Sequence, residues 1–397
     1  MKAIMFAAGK STRTYPLTIT RPKPLLPILD TTIIEYNLAL LEKYVSEVII
    51  VVGYKKDMLI SHLKESEISK KIKLTLIEQK EQLGTGHALL TCEEHITDND
   101  DSFLVMGGDD IFSNSDIMAM IDNSPSILAQ KVENPDQYGV IEEKNNKFLK
   151  IHEKQKDPIS NLVNCGMYVL NKDIFKKLKN VKKSPRGEIE LTDALSNLNI
   201  VKVKDLWYPI SYPWNLLEAN VILLNKLNDS DFMIKGKVED NVTIKGKVFL
   251  GEGSVIKAGS YIEGPVYIGK NCTLGPMAHI RKDTIICDNC EIGKTEIYDA
   301  LIMKNSTSKH TAYLAHGIIG ENVNIGAGTI TADYRHDGKN HMTIINNKKI
   351  DSKRRKLGAF LGDNVHTGIG TLLYPGRKIW PGLGTLPGEV VTKDKKE

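Results

Sequence analysis

Residues 2–7 form an apolar run that reads as a buried parallel strand, closing in Ala7-Ala8-Gly9. Thr32-Ile33-Ile34-Glu35 has the form of a capping box and predicts an amphipathic helix reaching about Tyr44. Val48–Val52, Lys73–Ile77 and Phe103–Met106 read as further strands, the last running into Gly107-Gly108-Asp109-Asp110. Strands alternating with helices predict an α/β domain with a mostly parallel sheet, and such sheets bind ligands at the carboxyl ends of their strands. Gly9 to Arg13 and Asp109 fall at those ends.

From Val238 the pattern changes. Every sixth residue is aliphatic: Val238, Ile244, Leu250, Ile256, Ile262, Ile268, Leu274, Ile280, Ile286 and Ile292. Four residues after each aliphatic from Val238 to Ile286 the chain carries a small or β-branched residue, among them Ser254, Ser260, Cys272, Ala278 and Cys290. This period is the signature of a parallel β-helix of hexapeptide repeats. Glycine follows the aliphatic at Gly251, Gly269, Gly275 and Gly293, where it is expected to supply a positive φ at the turn. The phase returns at Ile319 and Ile325, and again at Leu361, Thr367, Leu373 and Ile379. Between them lies a charged insertion at about 331–356, and long excursions from regular scaffolds tend to carry function. Triangular coils leave flat apolar faces, so a homotrimer is expected. The chain therefore divides into a domain over 1–229 and a β-helix over 230–397.

Composition sharpens the division. Of 31 glycines, 9 precede residue 230 and 22 follow from Gly236. With 41% apolar and 26% charged residues the chain is ordinary globular protein, and a net charge of +4 is too small to imply a nucleic-acid partner. The apolar run Val48–Val52 is far short of the roughly 20 residues that span a bilayer, so no membrane association is expected. The first residues turn polar at Gly9-Lys10-Ser11, too soon for a signal peptide, and a cytoplasmic location is expected. Five scattered cysteines give no disulfide framework, and the lone Cys287-x-x-Cys290 lacks the second pair of a zinc site.

Gly9-Lys10-Ser11-Thr12 is not a P-loop, because the pattern needs glycine where Ile4 stands; no G-x-G-x-x-G occurs either. Ala7-Ala8-Gly9-Lys10-Ser11-Thr12-Arg13, Pro16-Leu17-Thr18 and Arg21-Pro22-Lys23-Pro24-Leu25-Leu26-Pro27 instead resemble the opening signature of sugar-1-phosphate nucleotidylyltransferases. Gln79 with Gln82-Leu83-Gly84-Thr85-Gly86-His87-Ala88, Gly108-Asp109, Tyr138-Gly139-Val140, Glu153, Asn164-Cys165-Gly166, the segment 186–193 and Pro213-Trp214-Asn215 extend the likeness. With the β-helix, the resemblance is to the bifunctional N-acetylglucosamine-1-phosphate uridylyltransferase and amino-sugar-phosphate acetyltransferase group. It implies a Rossmann-like nucleotidyltransferase domain followed by a left-handed parallel β-helix.

The resemblance also implies roles. A sugar-1-phosphate is already an anion near neutral pH, so its attack on the α-phosphorus of a nucleoside triphosphate needs charge neutralisation and alignment rather than a general base. Arg13 would wrap the β- and γ-phosphates beside Ala8 and Gly9, and Lys23 would bridge the two reacting phosphates. Asp109 would hold Mg²⁺. Gln79, Gly84 and Thr85 would read the base, and Gly139, Glu153 and Asn164 would contact the sugar. Two departures stand out: Ser11 occupies a position usually glycine, implying a stiffer loop, and Trp207-Tyr208-Pro209-Ile210-Ser211 lacks an aspartate that serves as second metal ligand, leaving Asp110, Asn215 or water.

His310-x-x-Tyr313 and Asn324-Ile325-Gly326-Ala327-Gly328-Thr329 resemble the acetyltransferase half. His310 would be the general base, Arg281 and Tyr313 would hold the sugar phosphate, Asn324 the sugar, Lys339 would lie nearby, and acetyl-CoA would be the donor. Tyr298, Asp333 and Met342 stand where the group has lysine, asparagine and lysine, which weakens phosphate binding. The leading reading is transfer from UTP or dTTP to N-acetylglucosamine-1-phosphate or glucose-1-phosphate, with acetylation of glucosamine-1-phosphate as a second activity. A GDP-mannose-type pyrophosphorylase with a regulatory β-helix and a catalytically silent sugar-nucleotide-binding subunit are the alternatives.

Overall fold

The structure, a computed structural model, describes residues 1–397 apart from 98, 99, 146 and 156. The chain forms two compact units. The first comprises Met1–Lys10, Pro22–Leu25 and Ile33–Pro209; the second comprises Ser11–Arg21, Leu26–Thr32 and Ile210–Glu397.

The first unit is built on a sheet whose strands are, in chain order, β1 (Lys2–Ala7), β2 (Glu47–Val52), β3 (Lys73–Glu78), β4 (Ser102–Gly107), β5 (Ser126–Lys131), β6 (Gly139–Lys144), β7 (Lys147–Glu153), β8 (Leu162–Asn171) and β9 (Asn199–Lys202). Among the described residues their spatial order is β3-β2-β1-β4-β8-β5-β9-β7-β6. The first four strands pair in parallel, as the alternating pattern predicts. All of Glu47–Val52 is buried, as expected for a parallel strand covered on both faces. Beyond β4 the sheet is mixed, because β8 enters antiparallel between β4 and β5. The helix after Thr32 spans Ile33–Leu41 and stops short of Tyr44. Its Glu35 meets Ser66 Oγ at 2.5 Å and His62 Nε2 at 3.2 Å.

The second unit is a left-handed parallel β-helix whose strands stack into three sheets. The inward aliphatics pair coil on coil, as in Leu250 with Ile268, Ile268 with Ile286, and Leu361 with Ile379. The small phase lies inside as well. Ser254 Oγ donates to Gly269 O at 2.7 Å, and the thiols of Cys272 and Cys290 donate to Cys287 O and Met303 O, each at 3.2 Å. All five cysteines are buried free thiols.

One expectation about the coils is corrected. Of the four glycines that follow the aliphatic, Gly275 alone has a positive φ. Gly251, Gly269 and Gly293 are required by close approach, since a Cβ would lie 2.5 Å from Gly269 O, 2.3 Å from Asp288 Oδ1 and within 2 Å of Lys309 O respectively. The left-handed turn position is shared by asparagine (Asn241, Asn271, Asn289, Asn305, Asn322 and Asn364, with φ between 54° and 61°) and by other glycines, such as Gly253, Gly259, Gly370 and Gly382. The stack also continues through 293–318, where the period fails. Ile280 pairs with Ile297 and Ile286 with Ile302, one and two residues short of the spacing by which Ile262 pairs with Ile280. The corners there are contracted, with Asp299 at φ 43° and His316 at φ 51°.

The insertion is an antiparallel hairpin of Met342–Ile345 on Lys348–Asp351, after which the stack resumes at Phe360–Leu361. The helix Pro213–Lys226 belongs to this unit, with Trp214 against Phe360 at 6.4 Å between ring centroids. Asn220 at its middle ties in Leu26–Thr32, accepting from Leu29 N at 2.8 Å and donating to Pro27 O at 3.0 Å.

Candidate active sites

In the first unit a cleft of about 560 Å³ opens at the carboxyl ends of β1, β3 and β4, lined by Ala8, Gly9, Gln79, Gly84, Thr85 and Asp109. Lys23 is 5% exposed, and its ammonium lies 2.9 Å from Asp109 Oδ2 and 3.8 Å from Asp110 Oδ1. A buried cation between two adjacent carboxylates is a strong electrostatic feature whose partners are set by the turn that ends β4.

The segment after β3 is clamped from behind. Gly84 has φ +96°, and a Cβ there would lie 2.6 Å from Ile189 O, so only glycine fits. Gly86 N donates to Ile189 O at 2.8 Å, Ile189 N to Leu83 O at 2.8 Å, and Leu191 N to Thr85 Oγ1 at 3.1 Å. The Thr85 hydroxyl thus anchors the loop. Gln79 Nε2 donates to Gly84 O at 3.1 Å, and Gln82 Nε2 to Ala8 O at 2.9 Å.

Gly139 and Glu153 face each other across β6 and β7, and a Cβ on Gly139 would lie 3.0 Å from Glu153 Oε1. Burial, seconded by Glu190 and Asp193 against the opposing pull of Lys154 and Arg186, raises the Glu153 carboxyl above its ordinary range. Asn164 starts an irregular stretch of β8, donating to Tyr168 OH at 2.7 Å and accepting from Gly166 N at 3.0 Å. Neither Gly139, Glu153 nor Asn164 lines the cleft; the neighbouring Cys165, Gly166 and Tyr168 do. Asp110, a candidate second metal ligand, also lines it, as do Lys10, Gln82, Arg186, Glu188 and Glu190, which the sequence reading gives no individual ligand role although 186–193 carries a family motif.

Arg13 belongs to the second unit, exposed, with its guanidinium 5.9 Å from the Tyr212 ring centre. Ser11 adopts φ 51° and ψ 48°, which explains why glycine suits this position and corrects the idea that serine merely stiffens the loop. Asn215 is occupied at the start of its helix, accepting from Tyr212 N at 3.0 Å and donating to Glu218 at 2.9 Å. Asp110 is therefore the better placed of the two side chains considered as a second metal ligand.

Along the β-helix, Tyr298 forms the centre of a second cluster. Arg281 Cζ lies 4.2 Å and Lys356 Nζ 5.6 Å from its ring centre, and Arg281 Nη1 donates to Glu296 at 3.0 Å. Tyr313 lines a concavity of about 360 Å³ with His279, Thr295, Glu296 and Ile330. His310 is exposed beside it, its backbone carbonyl accepting from Thr295 Oγ1 at 2.9 Å. Asn324 Oδ1 accepts from Thr307 Oγ1 at 2.9 Å, and Lys339 lines a different concavity with Arg335, Met342 and Lys349; neither lines the Tyr313 concavity.

The contracted corners stack Asp299 beneath His316. Nδ1 of His316 is 2.7 Å from Asp299 Oδ2, and Nε2 is 3.1 Å from Asp333 Oδ2. Burial alone would lower the pKa of this ring, but the two carboxylates outweigh it and hold the pKa above its ordinary value. Burial likewise opposes Asp333, yet His316 and Lys356 keep it below the usual carboxylate range. The extra anion at Asp333 is thus paired locally with His316.

Residues 2–208 match the nucleotidyl transferase family model, and residues 262–375 match the GMPPB C-terminal domain. A glucose-1-phosphate thymidylyltransferase assignment from Bacillus anthracis, solved with sucrose, superposes with a TM-score of 0.51 at 27% identity, covering 57% of this chain and 96% of that one. These matches define the first unit as a nucleotidyltransferase. Over nearly its whole length the chain is 45% identical to the bifunctional protein GlmU of Methanococcus maripaludis strain C7, covering 96% of this chain and 92% of the relative. It is 40% identical to the bifunctional sugar-1-phosphate nucleotidylyltransferase/acetyltransferase of Sulfurisphaera tokodaii, covering 99% and 98%. The chain belongs to this family of bifunctional sugar-1-phosphate nucleotidylyltransferase/acetyltransferases. Among the described residues no helix is long and apolar enough to cross a membrane.

Proposed function

We propose that the first unit transfers a nucleotidyl group from UTP or dTTP to N-acetylglucosamine-1-phosphate or glucose-1-phosphate, releasing pyrophosphate. The observation that carries this reading is the buried Lys23 ammonium paired with Asp109, which lines the cleft. Lys23 bridges the attacking phosphate oxygen and the α-phosphate, while Arg13 holds the outgoing pyrophosphate. Gln79 and the Gly84 backbone orient the base, and Gly139, Glu153 and Asn164 orient the sugar. Among the described residues no group of three His, Cys, Asp or Glu gathers as a metal cage. Asp109 and Asp110 nonetheless fit Mg²⁺, which is typically held by one or two carboxylates plus phosphate oxygens and water. The ion, when bound, would neutralise charge on the phosphates.

The β-helix is proposed to acetylate glucosamine-1-phosphate with acetyl-CoA. His310 takes a proton from the amine, Arg281 and Tyr313 hold the phosphate, Asn324 binds the sugar, and Lys339 assists nearby. Assembly as a homotrimer is supported by Ile330, Leu372 and Val390, which pair in register across three successive coils and are each at least 40% exposed.

The test is a panel of nucleoside triphosphates and sugar-1-phosphates assayed for pyrophosphate. Mg²⁺-dependent release with a pyrimidine nucleotide, lost in Lys23→Ala, is expected; release with no pair sinks the reading. The match of 262–375 to a GMPPB C-terminal domain favours a second reading, for which release would be confined to GTP with mannose-1-phosphate. Release of CoA from acetyl-CoA and glucosamine-1-phosphate, lost in His310→Ala, tests the second activity.

A further inference from the structure

The Gln79 side chain of the first unit is 5% exposed and follows directly on β3, its backbone N donating to Val52 O at 2.9 Å. Its amide Nε2 has two neighbours, Gly84 O at 3.1 Å and His87 Nδ1 at 3.1 Å. A carbonyl oxygen only accepts, so the amide atom that faces Gly84 O is the NH2 nitrogen and not Oε1. The second hydrogen of that NH2 then points to His87 Nδ1. This ring nitrogen must present its lone pair, and the ring carries its hydrogen on Nε2.

Both partners belong to one turn. Gly84 O also accepts from Ala88 N at 3.1 Å, the first bond of the short helix Thr85–Leu90 on which the half-buried His87 stands. The same turn is the one clamped by Ile189 and Leu191. With both amide hydrogens engaged, Oε1 is what remains of Gln79. Among the described residues it accepts no hydrogen bond, and it is not sealed from solvent, so it opens on the cleft that Gln79 lines. A free amide can rotate by half a turn and serve a donor or an acceptor. Here that rotation would set Oε1 against Gly84 O and His87 Nδ1, acceptor against acceptor, and leave buried polar atoms unpaired. Gln79 therefore offers a base an acceptor and no donor. Uracil and thymine carry a hydrogen at N3, whereas cytosine carries a lone pair there.

We propose that His87 is a positioning residue for base selection: with Gly84 O it locks the Gln79 amide so that Oε1 meets the N3–H of uracil or thymine and repels N3 of cytosine. This rests on the nucleotidyl transfer proposed above. His87 does not itself line the cleft and acts through Gln79. The test uses the full-length chain with His87→Asn, whose Oδ1 takes the place of Nδ1 and still accepts, and His87→Leu, of similar shape without an acceptor. Three measurements are made: kcat/KM for pyrophosphate release with UTP and with CTP, equilibrium binding of each nucleotide with Mg²⁺, and the ¹⁵N spectrum of the His87 ring. His87→Leu is expected to lower the preference for UTP over CTP about tenfold, the worth of one hydrogen bond to a buried amide, and His87→Asn to retain the preference. The wild-type ring is expected to show an unprotonated Nδ1. A hydrogen on Nδ1, or an unchanged preference in His87→Leu, overturns the proposal. So does an equal fall in both variants, or a loss of activity with both nucleotides alike, which marks a ring that only packs. If the wild type releases no pyrophosphate with any pair, the nucleotidyl-transfer reading fails instead, while the binding preference and the ring spectrum still decide whether His87 locks the amide.

Discussion

The Lys23 ammonium sits 2.9 Å from Asp109 Oδ2, so the residue proposed to bridge the reacting phosphates and the one proposed to hold the metal are paired with each other. Phosphates and a divalent cation together would exchange partners within this pair, each charge meeting a new one of opposite sign. Lys23→Ala removes the cation and leaves two carboxylates facing the substrate phosphates. We expect kcat/KM for pyrophosphate release to fall by about 10²–10³, as for loss of other preorganised charge-stabilising groups. A loss under tenfold would argue that Lys23 serves only to pair Asp109.

Ser11 is the clearest strained position in the signature segment. Its φ of 51° costs an L-residue roughly 1–2 kcal/mol that glycine does not incur, offset in part by glycine's greater freedom in the unfolded chain. Ser11→Gly is therefore expected to stabilise the protein by up to about 1 kcal/mol, read as a rise in the denaturant midpoint at constant m-value. A fall in the midpoint would show that the serine hydroxyl contributes more than its backbone strain costs.

The Asp299–His316–Asp333 stack makes the β-helix pH-sensitive. Burial disfavours the charged ring, but Asp299 and Asp333 raise the folded pKa above 6.5. A raised histidine pKa contributes stability that is fully present below the unfolded value, near 6.5, and is lost as pH rises through the folded value. Stability is expected to decline on going alkaline from about pH 6.5, and His316→Gln should flatten that decline. A wild-type profile parallel to the mutant's across this window would refute the assignment.

Leu372→Glu places a charge in the middle of the exposed ladder Ile330, Leu372 and Val390. If that face is the trimer contact, burying an unpaired carboxylate there costs several kcal/mol and sedimentation should show monomer. A trimer in both wild type and mutant would move the contact elsewhere.

What could be read from the sequence follows from which interactions are local. The strands β1, β2 and β4 were legible because burial on both faces makes them near-continuous apolar runs, whereas β3 is a half-exposed edge strand that shows as the mixed run Lys73–Ile77. The coils were legible as far as Ile292, where each corner has the same length. Beyond it, corners lose single residues, the period drifts, and the pairing of Ile280 with Ile297 is invisible to any fixed spacing. The Asp299–His316 contact was hidden for that reason, since it depends on coil register. In the cleft, Gly84 and Asp109 announced themselves by motif, whereas Glu190 and Arg186 arrive from a distant segment that pairs through backbone hydrogen bonds to Leu83 and Gly86. The glycines 251, 269 and 293 were found but misread, because a close approach by the next coil leaves the same sequence mark as a positive φ.

Within the second unit the buried Arg21 guanidinium forks between Glu321 and Asp363, which bears on how such chains could be assembled by recombination. A crossover near residue 230 would join one gene's first half to another's repeats, and would separate a buried guanidinium from both of its carboxylates. An uncompensated buried charge of this kind is strongly destabilising. The two halves can be exchanged without that loss only if the arginine and its acidic corner travel together.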